Sequence, residues 1–221
     1  MPSSGSTTRV DLVYRRLRSD ILNGRLEAGS RLGIESLSAR YGVSGGVLRE
    51  ALPRLVGQGL AVSLPQQGFR VISVSAEDLR HLTEARVAIE TQVLRQSVES
   101  GSVGWEAQLL ASHHNLRRTP YATGDGDISE DWTDAHMSFH RALLAGCANP
   151  RLVAIADMLR ETACVYQCWS RRPGDDRNRD IAAEHAELCD LALERDAAGA
   201  VAALARHIEL TTQLILGEPE A

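Results

Sequence analysis

The sequence has no lysine: all 24 of its basic residues are arginines, a bias of composition rather than a sign of function. It has no apolar run near the roughly 18 residues of a membrane span, which excludes a transmembrane reading. The first residues lack the basic-then-apolar order of a signal peptide, so a cytoplasmic protein is expected. Disulfide scaffolding is excluded as well. Cys164 and Cys168 lie one helical turn apart while Cys147 and Cys189 stand alone, which makes neither a paired framework nor a CxxC knuckle and leaves buried core cysteine as the expectation.

What is present is ordinary for a globular chain: 221 residues, 43% hydrophobic and 24% charged, enough for one large domain or two modest ones. Only the start, "MPSSGST", has the small polar character of a loose terminus. The charge is unevenly spread. Up to Val74 there are ten arginines against five acids, a balance of +5, whereas the remainder has fourteen against twenty-four, a balance of −10. The first third suits a polyanion and the rest does not.

In residues 9–24, "RVDLVYRRLRSDILNG", Val10, Val13, Tyr14, Leu17, Ile21 and Leu22 share one face and arginines the other, ending at Asn23-Gly24: an amphipathic helix. A short helix follows at "IESLSARYG". After the turn Gly42-Val43-Ser44, a third helix starts at about residue 45 with Ser44 as its N-cap. "LAVSLPQQGFRVIS" reads as strands Leu60 to Leu64 and Phe69 to Ser73 around the turn Pro65-Gln66-Gln67-Gly68. Three helices and a hairpin make a winged helix-turn-helix, whose third helix enters the major groove of duplex DNA. Arg49 is the expected base or phosphate contact. The amides of Gly45 and Gly46 suit a phosphate at a helix N-terminus, and Gln66, Gln67 and Gly68 form the wing tip.

"VYRRLRSDILNGRLEAGSRL", "LSARYGVSGGVLREALPRLVGQGL" and "QQGFRV" resemble the N-terminal domain of the GntR family of bacterial transcription regulators, with helix, turn, recognition helix and wing in the family's order. Members usually carry arginine and threonine after the serine that begins the recognition helix, where this sequence has Gly45 and Gly46. The departure leaves Arg49 with more of the recognition.

Beyond Ser73 to Ala76 the pattern is helical, with helices expected near 76–101, 104–117, 129–146, 149–171, 177–196 and 198–217, separated at Gly101, Gly104, "TPYATGDGD", Asn149-Pro150, Pro173-Gly174 and Gly199. Six helices with short connections imply an all-helical antiparallel bundle, so the chain is expected to be mainly α, divided into 1–74 for DNA and 75–221 for an effector, a metal and dimerisation. The bundle carries the histidines. His136 and His140 sit at i, i+4, with their backbones about 6 Å apart on one helical face, close enough to hold one ion together. His185 and His207 are each eleven residues from a turn near Asp196, so both stand at equal height in a helical hairpin. Four neutral imidazoles suit a borderline divalent ion, zinc first, with nickel or cobalt as alternatives. His113 and His114 point about 100° apart and cannot both face one site, and with His81 they are read as ordinary.

"EARVAIE", "FHRALLAGCANPRL", "EHAEL" and "ARHIEL" resemble the FCD ligand-binding domain of the FadR branch of the GntR family. There an aspartate and three histidines usually bind the metal. The resemblance implies His140, His185 and His207 as ligands, and His136 in the place of the aspartate; Asp134, two residues off, is the alternative fourth ligand. An all-histidine set carries one negative charge less, favouring softer metals and an anionic effector. The resemblance further implies a small carboxylate effector paired with Arg86 of "EAR", whose planar fork can take it bidentately. The alternative role for Arg86 is an ion pair with Glu90 at i+4.

The expectation is a homodimeric, ligand-responsive transcription regulator, acting as a repressor on a double-stranded operator, with no membrane partner and no enzymatic activity. Two other readings compete. In one the ion itself is the signal. In the other the metal activates water for hydrolysis with Glu184 or Glu187 as base.

Overall fold

The computed structural model describes residues 8–122, 129–170 and 179–217. The expected loose start, the core of "TPYATGDGD", the Pro173-Gly174 break, the first residues of the helix expected from 177 and the side chain of Cys168 lie outside them. The fold is mainly α: a winged helix-turn-helix followed by a helical domain.

The described residues up to Ser75, together with Glu161–Trp169, form one compact unit. Helix α1 (Arg9–Leu22) is started by a capping box in which the Thr8 hydroxyl accepts from the Asp11 amide and the Asp11 carboxylate from the Thr8 amide. The apolar face read from the sequence is buried: Leu17 and Ile21 are fully covered. Helix α2 (Ile34–Tyr41) ends at Gly42, whose φ of 65° is the left-handed value that glycine reaches without a Cβ penalty. Helix α3 (Gly45–Gly57) packs on α1 and α2 through Leu48, Leu52 and Leu55. Strands β1 (Ala61–Leu64) and β2 (Gly68–Val71) pair antiparallel, Ala61 opposite Val71. They are shorter than the runs read from sequence: β1 starts one residue later, after Gly59 turns at φ 70°, and β2 ends at Val71 rather than Ser73 but takes in Gly68; Gln66 and Gly68 take positive φ in the tight wing turn. A bridge from Arg31 to Arg70 adds an edge that strand periodicity did not announce.

The second unit holds Ala76–Arg160 and, among the described residues, 170 and 179–217. Its helices are α4 (Ala76–Ser100), α5 (Val103–Arg118), α6 (Glu130–Leu144), the first half of α7 (Pro150–Ser170), α8 (Ile181–Leu193) and α9 (Ala197–Leu216). Helix α4 packs along α9 and against α6; α5 lies on α6 and α8; α8 and α9 form a hairpin. The core runs through Val93, Leu94, Leu109, Phe139, Leu143, Leu188 and Leu204. Arg195, in the α8–α9 turn at φ 63°, donates to the Val98 and Gly101 carbonyls and so satisfies acceptors at the C-terminal end of α4. Cys147, Cys164 and Cys189 are buried and form no disulfide.

Just after α6, Gly146 lies close against α4: a Cβ there would meet the Ser97 carbonyl at 2.7 Å and the Gly101 Cα at 3.1 Å. Gly146→Ala is expected to cost about 1–3 kcal/mol by overpacking, read as a lower urea midpoint of the full chain. An unchanged midpoint would contradict this approach of α6 to α4.

Candidate functional site

Helix α6 starts at Ser129, whose hydroxyl accepts from the Trp132 amide, and turns Ala135, His136, Phe139, His140 and Leu143 inward. His136 and His140 thus share the buried face, their Nε2 atoms 3.1 Å apart. The α8–α9 hairpin brings His185 and His207 to a ring separation of 5.0 Å, as counting from the turn requires. The two pairs converge: one donor nitrogen from each histidine lies within 4.8 Å of every other. All four rings are buried. Trp132 stacks on His136 at 4.8 Å, and Phe139 stands edge-on to His140 and His185. Asp134, the alternative fourth ligand, is exposed.

Burial sets the protonation of this cluster. It is the main cause that drives His140 well below the usual imidazole value, and the neighbouring histidines add to it. Burial, then the charge of His207, pushes His185 down to about 2. Burial also lowers His207, against the opposing effect of the hydrogen bond its ring donates to Glu184. His140, His185 and His207 are therefore neutral at pH 7, and a neutral imidazole keeps a lone pair on one ring nitrogen. The His185 Nε2 is buried with no hydrogen-bond partner, and the Nε2 atoms of His136 and His140 face one another although at most one proton fits between them. A divalent ion resolves both conditions, since it takes imidazole nitrogens at about 2.0–2.1 Å in a shared geometry. The residues fit such a group.

Around this set lies a layer that orients it. The His207 Nδ1 is 2.6 Å from Glu184 Oε2, which places the proton on Nδ1 and turns the other ring nitrogen to the cluster. Arg179 grips both Glu184 oxygens at 2.6 Å and donates to the Thr211 hydroxyl at 2.9 Å. Burial alone would raise the Glu184 carboxyl; the hydrogen bonds from Arg179 and His207 hold it at about 2. Neither Arg179 nor this role of Glu184 was visible in the sequence, because both depend on which face of α8 meets α9. The finding removes the base that the hydrolase reading needed: Glu184 is committed to His207 and Arg179, and Glu187 pairs with Arg206 at the surface.

Arg86 is buried on α4, and its Nε donates to Glu90 Oε1 at 2.7 Å, so the i+4 pair is present. Glu90, fully buried, is shared with Arg160, and the two guanidinium charges hold its carboxylate low against the effect of burial. Among the described residues the terminal nitrogens of Arg86 make no further hydrogen bond, and its charge is close enough to His207 to lower that ring's pKa. In the first unit Ser44 is the N-cap residue of α3, but its exposed hydroxyl makes no capping bond. Arg49, Gly46, Gln66, Gln67 and Gly68 are exposed, and Gly45 is half-buried. A Cβ at Gly45 would press on the Ile34 side chain at 3.0 Å and only touch the Arg49 guanidinium at 3.6 Å, so glycine there relieves the packing of α3 against α2.

A winged helix ahead of a histidine-lined bundle is matched by known sequences. Residues 10–71 match the profile described as "Bacterial regulatory proteins, gntR family", and residues 81–210 match the FCD domain. The chain belongs to the GntR family. It is 36% identical over 220 residues to the uncharacterized HTH-type transcriptional regulator BphR of Paraburkholderia xenovorans, covering 97% of this chain and 88% of that one. It is 31% identical over 198 residues to the HTH-type transcriptional repressor GlaR of Escherichia coli, covering 88% and 90%. The solved structure of E. coli McbR/YncC shares the fold, with a TM-score of 0.78 at 21% identity over 96% of this chain and 99% of that one. The protein is thus a GntR-family transcription regulator rather than an enzyme. Regulators of this family bind DNA operators and act as dimers, and FCD domains are often metal-binding. Among the described residues no helix is long and apolar enough to cross a membrane.

The buried imidazoles predict a pH dependence for metal-free protein. His140 and His185 stay neutral in the folded chain but take up protons below about pH 6.5 once unfolded. The unfolded state then binds more protons. Stability is therefore retained above that pH and lost on acidification, by up to about 1.4 kcal/mol per pH unit for each of the two residues. Urea midpoints of chelator-treated protein from about pH 7.5 to 5.5 read this slope, and a flat profile contradicts the neutral cluster.

Proposed function

We propose that this GntR regulator is a homodimeric repressor of the cytoplasm whose FCD domain holds a divalent metal and a small carboxylate effector, and releases its operator when the effector binds. The observation that carries the reading is the convergence of four buried imidazoles on one point, with the Arg86 guanidinium nearby. His136, His140, His185 and His207 hold the ion, zinc first and nickel or cobalt next, since neutral nitrogen donors suit borderline divalent metals. The ion supplies a fixed positive charge and an open coordination position for a carboxylate oxygen. Arg86 meets the same carboxylate, with Glu90 aligning its guanidinium from the Nε side.

Residues 1–74 do the reading and 75–221 the sensing. Helix α3 lies in the major groove. Arg49 reaches a base edge or phosphate, the α3 amides at Gly45 and Gly46 and the free Ser44 hydroxyl meet the backbone, and Gln66, Gln67 and Gly68 follow from the wing. Two protomers then read a palindromic operator. Effector binding favours a population with lower operator affinity, limited by its differential affinity for the two forms.

The test uses a duplex that the protein itself selects from randomised DNA, followed by fluorescence anisotropy. Arg49→Ala is expected to weaken binding by about 1–3 kcal/mol, on the order of five- to 150-fold, with metal content unchanged. Equal binding at physiological salt contradicts the recognition-helix assignment. For the effector arm, citrate and succinate are added to metal-loaded protein. Release by either acid, absent in Arg86→Ala, supports the reading. Release by metal alone makes the ion the signal and overturns it.

A further inference from the structure

Helix α7 is a single helix, Pro150–Ser170, but its residues belong to two units: those up to Arg160 to the helical unit, and Glu161–Trp169 to the unit of the winged helix. The boundary falls between two buried neighbours of opposite charge, Arg160 and Glu161. Successive residues of a helix point about 100° apart, so the two side chains leave α7 in different directions.

Arg160 is held within the helical unit. Its Nε and one terminal nitrogen donate to Glu90 Oε2 at 3.3 and 3.2 Å, and the other terminal nitrogen donates to Asp157 at 3.2 Å. Glu90 is the carboxylate that also holds Arg86. Glu161 is held within the other unit, where its Oε1 accepts from Arg18 of α1 at 2.9 Å. The packing stays close on the next residue: a Cβ on Gly59, in the turn after α3, would meet the Thr162 hydroxyl at 2.8 Å. Ala163, Cys164, Val165 and Tyr166 are buried. The Glu161 charge also reaches Tyr14 of α1, where it adds to burial in raising the phenol's pKa. Tyr14 in turn donates to Gln58, the C-cap residue of α3, and its ring lies 4.2 Å from the Arg54 guanidinium of the same helix.

We propose that α7 is the element that couples the two units, with Arg160 fixing it to the Glu90–Arg86 pair and Glu161 fixing it to α1 and the end of α3. A helix is a rigid element, and neither side chain can release its partner without leaving a buried charge uncompensated. A change at Glu90 is therefore passed to α3 through two adjacent residues instead of being absorbed at the boundary. This deepens the proposed function and rests on it only in taking Arg86 as the effector residue; the coupling itself is tested without any effector.

The test reads affinity for the selected duplex by fluorescence anisotropy on the full chain, with metal content measured on every variant. Arg160→Met and Glu161→Gln are each expected to weaken binding at least about fivefold, the lower end of coupling between sites. The double variant should bind no more weakly than the weaker single, because both substitutions cut one path. Gly146→Ala, which strains the helical unit outside α7, should stay within about twofold of wild type. If Arg160→Met does not fold, Arg160→Lys takes its place: it keeps the charge but not the planar fork that spans Glu90 and Asp157, and should give a smaller loss in the same direction. The proposal is overturned by binding that is not weakened in either single variant, by losses that multiply in the double variant, by an equal loss in Gly146→Ala, or by a loss that follows metal content from variant to variant. Failure of citrate and succinate to release the operator would count against the effector reading and not against this coupling.

Discussion

The helical unit brings four imidazoles together in its interior, and burial keeps three of them, His140, His185 and His207, neutral. Burial removes the water that would solvate a protonated ring, and each neighbour makes a second charge more costly, so His140 and His185 each keep one N–H and one lone-pair nitrogen. Such a core is poor as a hydrophobic core and poor as a hydrogen-bond network: the His185 Nε2 is left orphaned and two Nε2 atoms face each other. It is good for a divalent cation. A bound cation would compensate this arrangement, and its binding would then add to folding stability.

That constraint explains features that seem unrelated. The α8–α9 hairpin must hold its register to within a residue, and Arg195 and Asp196 fix the turn, the first by a left-handed backbone and bonds to the end of α4, the second by accepting from the Gly199 amide. Glu184 and Arg179 form an ion pair whose purpose is rotational: it sets the tautomer and plane of His207. On the far side, Glu90 sits fully buried between Arg86 and Arg160, a pairing that desolvation would make costly with one partner but that two guanidiniums satisfy. The DNA-reading unit obeys a different economy. The groups proposed to meet DNA, Arg49 and the wing tip, are exposed, while its buried residues pack α1, α2 and α3 together.

Much of this was legible in the residues. The period of apolar positions gave α1 and the bundle helices, and equal spacing about Asp196 placed His185 opposite His207 without knowledge of any other contact. The pair His136 and His140 was legible for the same reason, since helical geometry alone puts i and i+4 on one face. What stayed hidden depends on helix rotation and on contacts between segments distant in sequence. Glu184 looked like a base because only its neighbour His185 was identifiable; its role follows from meeting His207, 23 residues away. Arg179 stands before α8, where no periodicity speaks. His113 was set aside because it adjoins His114; the structure buries the first and exposes the second, and only burial reveals the unpaired nitrogen. The Arg31–Arg70 bridge was missed because a single ladder pair leaves no alternating pattern.

The central claim is that the buried imidazoles are ligands. The most direct measurement is metal content per protomer by elemental mass spectrometry, on tag-free protein purified without chelator, beside His140→Ala. The account predicts close to one equivalent of zinc, nickel or cobalt in the wild type and little in the variant. A wild type that stays metal-free after incubation with each of these ions, or a variant that retains a full equivalent, would contradict it.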